Sequence, residues 1–203
     1  MDLKEFLDTL KSRRSVRAFT DRVPEEQQIA TLIEAAQWAP SNHNRQGWKF
    51  LVFRNQSHIK ELSQRVRETL TSSLTTANHM VEARGPELVH FATLFEKAPV
   101  IILAMHKKSP AVGKSLLDAC GVKNINSEVI STAMAVQNML LAAHVMGLGA
   151  CVMTAPLLAG GVWQTLADMP LGFEPTCLVA VGYPAEIPPP PRRKPLAQIL
   201  EFR

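Results

Sequence analysis

The residues best suited to chemistry in this chain are guanidinium groups with hydroxyl and amide partners. Arg13, Arg14 and Arg17 fall within five positions, with Ser15 among them. Near the other end, Arg192, Arg193 and Lys194 follow the proline run Pro188–Pro191. A guanidinium is a planar fork of donors that matches phosphate oxygens two at a time. A third stretch, Ala39–Trp48 (APSNHNRQGW), carries Pro40, Ser41, Asn42 and Asn44. Taken alone, residues 13–17 also read as a solvated basic turn completing a helix, where cations meet the negative end of the dipole. The conjunction of the three stretches favours a ligand with a phosphate at one end and a polyol or heteroaromatic body at the other.

Other chemistries find no support in the residue spacing. Gly147-Leu148-Gly149 begins like a dinucleotide fingerprint, but Val152 holds the sixth position and the order is helix before strand, the reverse of that motif. Gly113-Lys114-Ser115 resembles the end of a P-loop, but Lys108 replaces the required glycine. The six histidines show no HExxH spacing, so no metal site is expected, and there is no GxSxG elbow. His144, inside a long apolar helix, reads as a packed core or interface residue rather than a ligand. With no nucleophile or metal in view, the pattern points to a cofactor that carries its own reactivity.

The elements that must position these residues are legible. Leu3, Phe6, Leu7 and Leu10 give residues 2–12 one apolar helical face. Pro24, Glu25 and Glu26 open a second helix that must stop near Trp38, ahead of Pro40. Strands are expected at 48–54, 99–105, 149–154 and 176–183, and helices at 57–70, 127–147 and 161–168. Residues 107–126 read as loop with a short helix. Residues 71–97 read as two helical pieces either side of a break at Gly85-Pro86, forming a lid, a substrate wall or a surface excursion. Strands and helices mix without βαβ alternation, so the expected class is a single α+β domain over 1–203.

Composition narrows the class further. A chain of 203 residues, 46% hydrophobic and 20% charged, can bury a substantial core. The net charge of +4 is mild and its clusters are confined to 11–17 and 192–194, so nucleic acid is not the expected partner. Cys120, Cys151 and Cys177 form no CxxC unit, and with no signal peptide in view a reducing cytoplasm is expected. Val129–Leu148 lacks Lys, Arg, Asp and Glu, yet Gln137 and Asn138 near its middle suit a protein interior better than lipid. A helix apolar on all sides must be covered, and a second copy of the chain would cover it, so a two-fold dimer is expected.

In order along the chain, RRSVRAF, APSNHNRQGWKF, AVQNMLLAAHVMGLGACVMTAP and VGYPAEIPPPPRRKPLAQI resemble the FMN-dependent nitroreductase family. The resemblance spans most of the chain, with 71–125 its weakest part. It implies a nitroreductase-like three-layer sandwich, with a central mixed or antiparallel sheet flanked by helices. It also implies a homodimer with one FMN at each of two interface sites, and electrons passed from NADPH or NADH to a second acceptor in a ping-pong cycle. By the same resemblance Arg13, Arg14 and Ser15 lie near the FMN phosphate and ribityl chain, and Arg17 near the flavin pyrimidine edge. Pro40, Ser41, Asn42 and Asn44 match a segment that reaches FMN, commonly from the partner subunit. Met153, Thr154 and Ala155 match the segment beside the isoalloxazine ring, and Arg193 the phosphate-binding arginine of the C-terminal stretch.

Three departures stand out. Pro191 occupies the place of a second basic residue, leaving Arg192 as an imperfect substitute. Gly47 replaces the commoner proline of Gln-Pro-Trp, and no acidic residue appears near 153–157. The reading that results is a flavoenzyme reducing nitroaromatic, quinone or similar small-molecule electrophiles, with no side chain assigned as acid or base. The alternatives are an FMN-binding redox sensor without turnover and a basic nucleic-acid-binding dimer.

Overall fold

The computed structural model describes residues 2–75, 79–108, 119–121 and 125–203, with the side chains of 75 and 79–83 not described. The expectations for Gly113-Lys114-Ser115 and for most of 107–126 lie outside the described residues.

Four strands, β1 (Trp48–Phe53), β2 (Val100–Lys107), β3 (Gly149–Met153) and β4 (Phe173–Gly182), form one sheet in the order β1-β2-β4-β3. Every neighbouring pair is antiparallel. The two central strands are covered on both faces, which is why both read as nearly continuous apolar runs. Their side chains divide by parity. Ile101, Leu103, Met105, Leu178 and Ala180 pack with Ile59, Leu62, Val66 and Trp163 of α3 (Gln56–Thr75) and α6 (Gly160–Thr165). Val100, Ile102, Ala104, Val179 and Val181 pack with Ile29, Leu32 and Ala36 of α2 (Glu26–Gln37), and with Ala135, Met139 and Ala143 of α5 (Ser127–Val145). The result is a three-layer α+β sandwich, as the resemblance implies.

α1 (Leu3–Ser12) starts with a reciprocal cap: Asp2 accepts from the Glu5 amide and Glu5 from the Asp2 amide, both at 2.8 Å. Its apolar face is formed as expected, but Leu3, Phe6 and Leu7 stay exposed. α5 is not enclosed on all sides. One face enters the core, while Ile130, Met134 and Val145 remain exposed on the other.

The expected break at Gly85-Pro86 does not occur, because α4 (His79–Thr93) runs through it. An interior proline removes one helical hydrogen bond but does not forbid a helix whose packing compensates. Gly85 supplies that packing: a Cβ there would come within 3.2 Å of Leu74 Cδ1, so the glycine lets α4 lie close against α3.

The stretch after α1 is fixed to the outer edge of β3. Ser15 bridges Ala150 in parallel, the Val16 amide donates to the Ala150 carbonyl at 3.1 Å, and the Thr20 amide donates to Tyr183 at 2.9 Å. Gly149 is required for this approach, since a Cβ would stand 2.7 Å from the Val16 side chain. Beyond Glu186 the chain is almost wholly exposed, with only a short turn at Leu196–Gln198.

Candidate functional site

The structure gathers the expected site residues into separate groups. The first lies along the free edge of β3. Arg13 and Arg14 line a cavity of about 150 Å³ with Ser12, Leu140, His144, Gly149 and Ala150. Arg14 donates to the carbonyls of Lys11 (2.6 Å) and Arg13 (2.9 Å), and Arg17 to the carbonyl of Ser15 (3.4 Å). Among the described residues no carboxylate pairs with Arg13, Arg14 or Arg17. Arg13 and Arg14 are half-buried and Arg17 exposed, and donors of this kind with no carboxylate beside them among the described residues fit a phosphate-bearing ligand.

Two further features shape this edge. The Ser12 hydroxyl is 2.7 Å from His144 Nε2, joining the end of α1 to the end of α5. Burial, Arg13 and Arg14 together hold the His144 imidazole below its ordinary pKa, which favours its neutral form beside the cluster. Met153 closes β3, buried, while Thr154 is exposed and Ala155 half-buried just beyond it. Arg17 and Arg13 are close enough to bear on the Cys151 thiol, although burial outweighs them and raises its pKa.

The second group is the loop after α2, and its backbone is unusual. His43, Asn44 and Gln46 all take positive φ, at 51°, 52° and 48°. Each such non-glycine residue costs on the order of 1 kcal/mol, so the surroundings must impose the shape. The Asn42 amide donates to Ser131 Oγ (3.1 Å) and the Gln46 amide to Ser41 Oγ (3.0 Å). Arg45 reaches the buried Glu128 at 3.6 Å, and the Gly47 carbonyl accepts from the Lys107 amide at 2.7 Å. These contacts present Ser41 and Asn42 half-buried, and Pro40 and Asn44 exposed.

The two groups sit toward opposite ends of α5. Ser131 holds the loop and His144 holds the Arg13 cluster, and 13 helical residues span about 20 Å. One protomer therefore does not bring Ser41, Asn42 and Asn44 to its own Arg13 and Ser15. Arg192 and Arg193 stand apart as well, exposed on the C-terminal tail without a hydrogen bond or ion pair among the described residues.

Sequence reasoning missed Glu128, Ser131 and Ser12. Glu128 sits one residue before the uncharged run begins, and its partners lie some 80 positions away in the chain. A buried histidine also escaped notice. His106 Nδ1 is 2.9 Å from Thr176 Oγ1, while its Nε2, 3.5 Å from Glu174, is too distant for a hydrogen bond. Burial lowers its pKa against the pull of Glu174 and Glu128.

An antiparallel three-layer sandwich with an arginine cluster along the edge of its outermost strand defines the architecture. Comparison with known proteins then gives the lineage. The model of the nitroreductase family matches residues 10–183, and the chain belongs to that family. A Methanothermobacter thermautotrophicus protein named for NADH dehydrogenase or NAD(P)H nitroreductase activity is 27% identical over 186 residues, covering 91% of this chain and 80% of its own. An FMN reductase (NADPH) of Bacillus subtilis is 26% identical over 187 residues, covering 89% of this chain and 66% of its own. Among solved structures, a BluB-like flavoprotein from Clostridium difficile superposes with a TM-score of 0.83 at 23% identity, covering 100% of this chain and 99% of its own. A nitroreductase with bound FMN from Bacteroides fragilis superposes with a TM-score of 0.73 at 21% identity, covering 98% of both.

Proposed function

We propose that the protein is an FMN-dependent oxidoreductase working as a homodimer, with each flavin held at the subunit interface. When bound, FMN supplies the redox chemistry, taking hydride from NADPH or NADH and delivering electrons to a nitroaromatic, quinone or similar electrophile in a ping-pong cycle. The observation that carries this reading is the division of the site. Three arginines that lack carboxylate partners among the described residues lie along the edge of β3, and the amide-rich loop meant to complete the site lies about 20 Å away along α5. A two-fold axis that pairs one protomer's cluster with its partner's loop unites them.

The chain's own residues then have distinct tasks. Arg13, Arg14 and Ser15 hold the phosphate and ribityl chain, with Arg192 and Arg193 contributing from the tail. Arg17 places a fixed positive charge where negative charge builds on reduction. Pro40, Ser41, Asn42 and Asn44 close the site from the partner. Met153, Thr154 and Ala155 flank the ring, and no side chain is needed as an acid or base because hydride transfer depends on positioning. The exposed Ile130, Met134 and Val145 of α5 and the uncovered face of α1 supply apolar surface for the second subunit. Among the described residues no helix is long and apolar enough to cross a membrane. We assign the protein to the cytoplasm, with a small molecule as its acceptor.

Titration of flavin-free protein with FMN tests the reading. Saturable binding that quenches flavin fluorescence, and that weakens when Arg13 is replaced by Ala, supports it. Absence of binding by the wild-type protein refutes it.

A further inference from the structure

Resting on the reading that residues 40–44 complete a flavin site, we propose that Glu128 is a positioning residue, which holds the Ser41–Gly47 loop in its flavin-binding shape through Arg45 and Gly47. Glu128 is a carboxylate in the first turn of α5, only 5% exposed, and its own amide and that of Val129 both donate to the cap residue Asn126. Its Oε1 meets Arg45 Nη1 at 3.6 Å. Its Oε2 is buried and has no hydrogen-bond partner among the described residues. That second oxygen faces Gly47, where a Cβ would stand only 2.5 Å from it.

A buried carboxylate is costly, and two features of the chain accommodate this one. Gly47 leaves it room where any larger residue would collide, and Arg45 brings a positive charge against it. Both lie at the far end of the loop that carries Ser41, Asn42 and Asn44. At the near end, the Asn42 amide is held by Ser131, one turn further along the same helix. The first two turns of α5 thus grip the loop at both ends. Between the grips stand His43, Asn44 and Gln46, the three positive-φ residues that would relax if released. Gly47 and Glu128 form a matched pair, each explaining the other's residue type.

The experiment uses the full-length protein with Glu128→Gln, Glu128→Ala, Gly47→Ala and the Gly47→Ala/Glu128→Ala double variant. FMN titration is combined with hydrogen exchange of the backbone amides without flavin. Glu128→Gln keeps the shape and removes the charge. It is expected to weaken FMN binding about tenfold, with Glu128→Ala weaker still. The Asn42 and Gln46 amides are expected to exchange faster, while those of β2 and β4 stay protected. Gly47→Ala is expected to weaken FMN binding when Glu128 is present and to cost little further when Glu128 is already Ala. Strictly additive effects, or unchanged affinity and unchanged exchange in Glu128→Gln and Glu128→Ala, overturn the proposal. Should wild-type protein fail to bind FMN, the flavin reading falls, and the exchange rates of Asn42 and Gln46 still decide whether Glu128 holds the loop.

Discussion

The hydroxyl of Ser12 lies 2.7 Å from Nε2 of His144, so the residue preceding the arginine cluster is tied to the C-terminal end of α5. The contact lies at the last residue of α1, directly ahead of Arg13 and Arg14. It also sets a titratable imidazole next to two cations, with consequences for pH.

His144 has its folded-state pKa lowered, first by burial and then by Arg13 and Arg14. The unfolded chain, with the ordinary value of 6.5, binds the proton more readily. Its contribution to stability is thus fully present above pH 6.5 and is lost as the pH falls through the lower folded value. Melting curves between pH 7.5 and 5 should show the flavin-free protein losing stability on acidification. His144→Gln should lose less. His106, whose pKa burial also lowers, acts with the same sign, so the effect is reduced rather than abolished.

Replacing Arg13 or Arg193 with Ala should weaken FMN binding by about 10- to 100-fold each, the usual worth of a charge-assisted contact. Riboflavin, which lacks the phosphate, should bind the wild-type protein and both variants alike. Flavin fluorescence titrations at fixed salt measure both effects.

Gly149→Ala should part the arginine segment from β3. A new methyl group would meet Val16 at 2.7 Å, and overpacking of this kind costs about 1–3 kcal/mol. The expected outcome is a lower melting temperature together with weakened FMN binding. Gly160→Ala, where a Cβ meets nothing within 4 Å, serves as the control and should leave flavin affinity unchanged.

Met134→Glu places a charge on the exposed face of α5 and should dissociate the proposed dimer. Sedimentation velocity is expected to show wild-type dimers and variant monomers, with flavin lost alongside the partner. A monomeric wild-type protein that still retains FMN would contradict the divided site.

Most of the sheet was legible because β2 and β4 are buried on both faces and read as unbroken apolar runs. The basic cluster was legible too, since Arg13, Arg14 and Arg17 are adjacent in sequence. What escaped reading depends on contacts between distant residues. Glu128 meets Gly47 across 81 positions, and a single carboxylate at a helix start otherwise reads as an ordinary dipole partner. The Gly85-Pro86 pair carries a genuine local signal for a break, overridden by the close packing of α4 on Leu74. The long helix read as needing cover from a second copy, but Ile130, Met134 and Val145 carry no mark in the sequence that tells the exposed face from the core face.

The most direct test of the account is an absorption spectrum of FMN-reconstituted protein during anaerobic addition of NADPH and then NADH. The account predicts a flavin band that bleaches with at least one donor and returns when a quinone or nitroaromatic is added. A bound flavin that neither donor bleaches would contradict the oxidoreductase assignment.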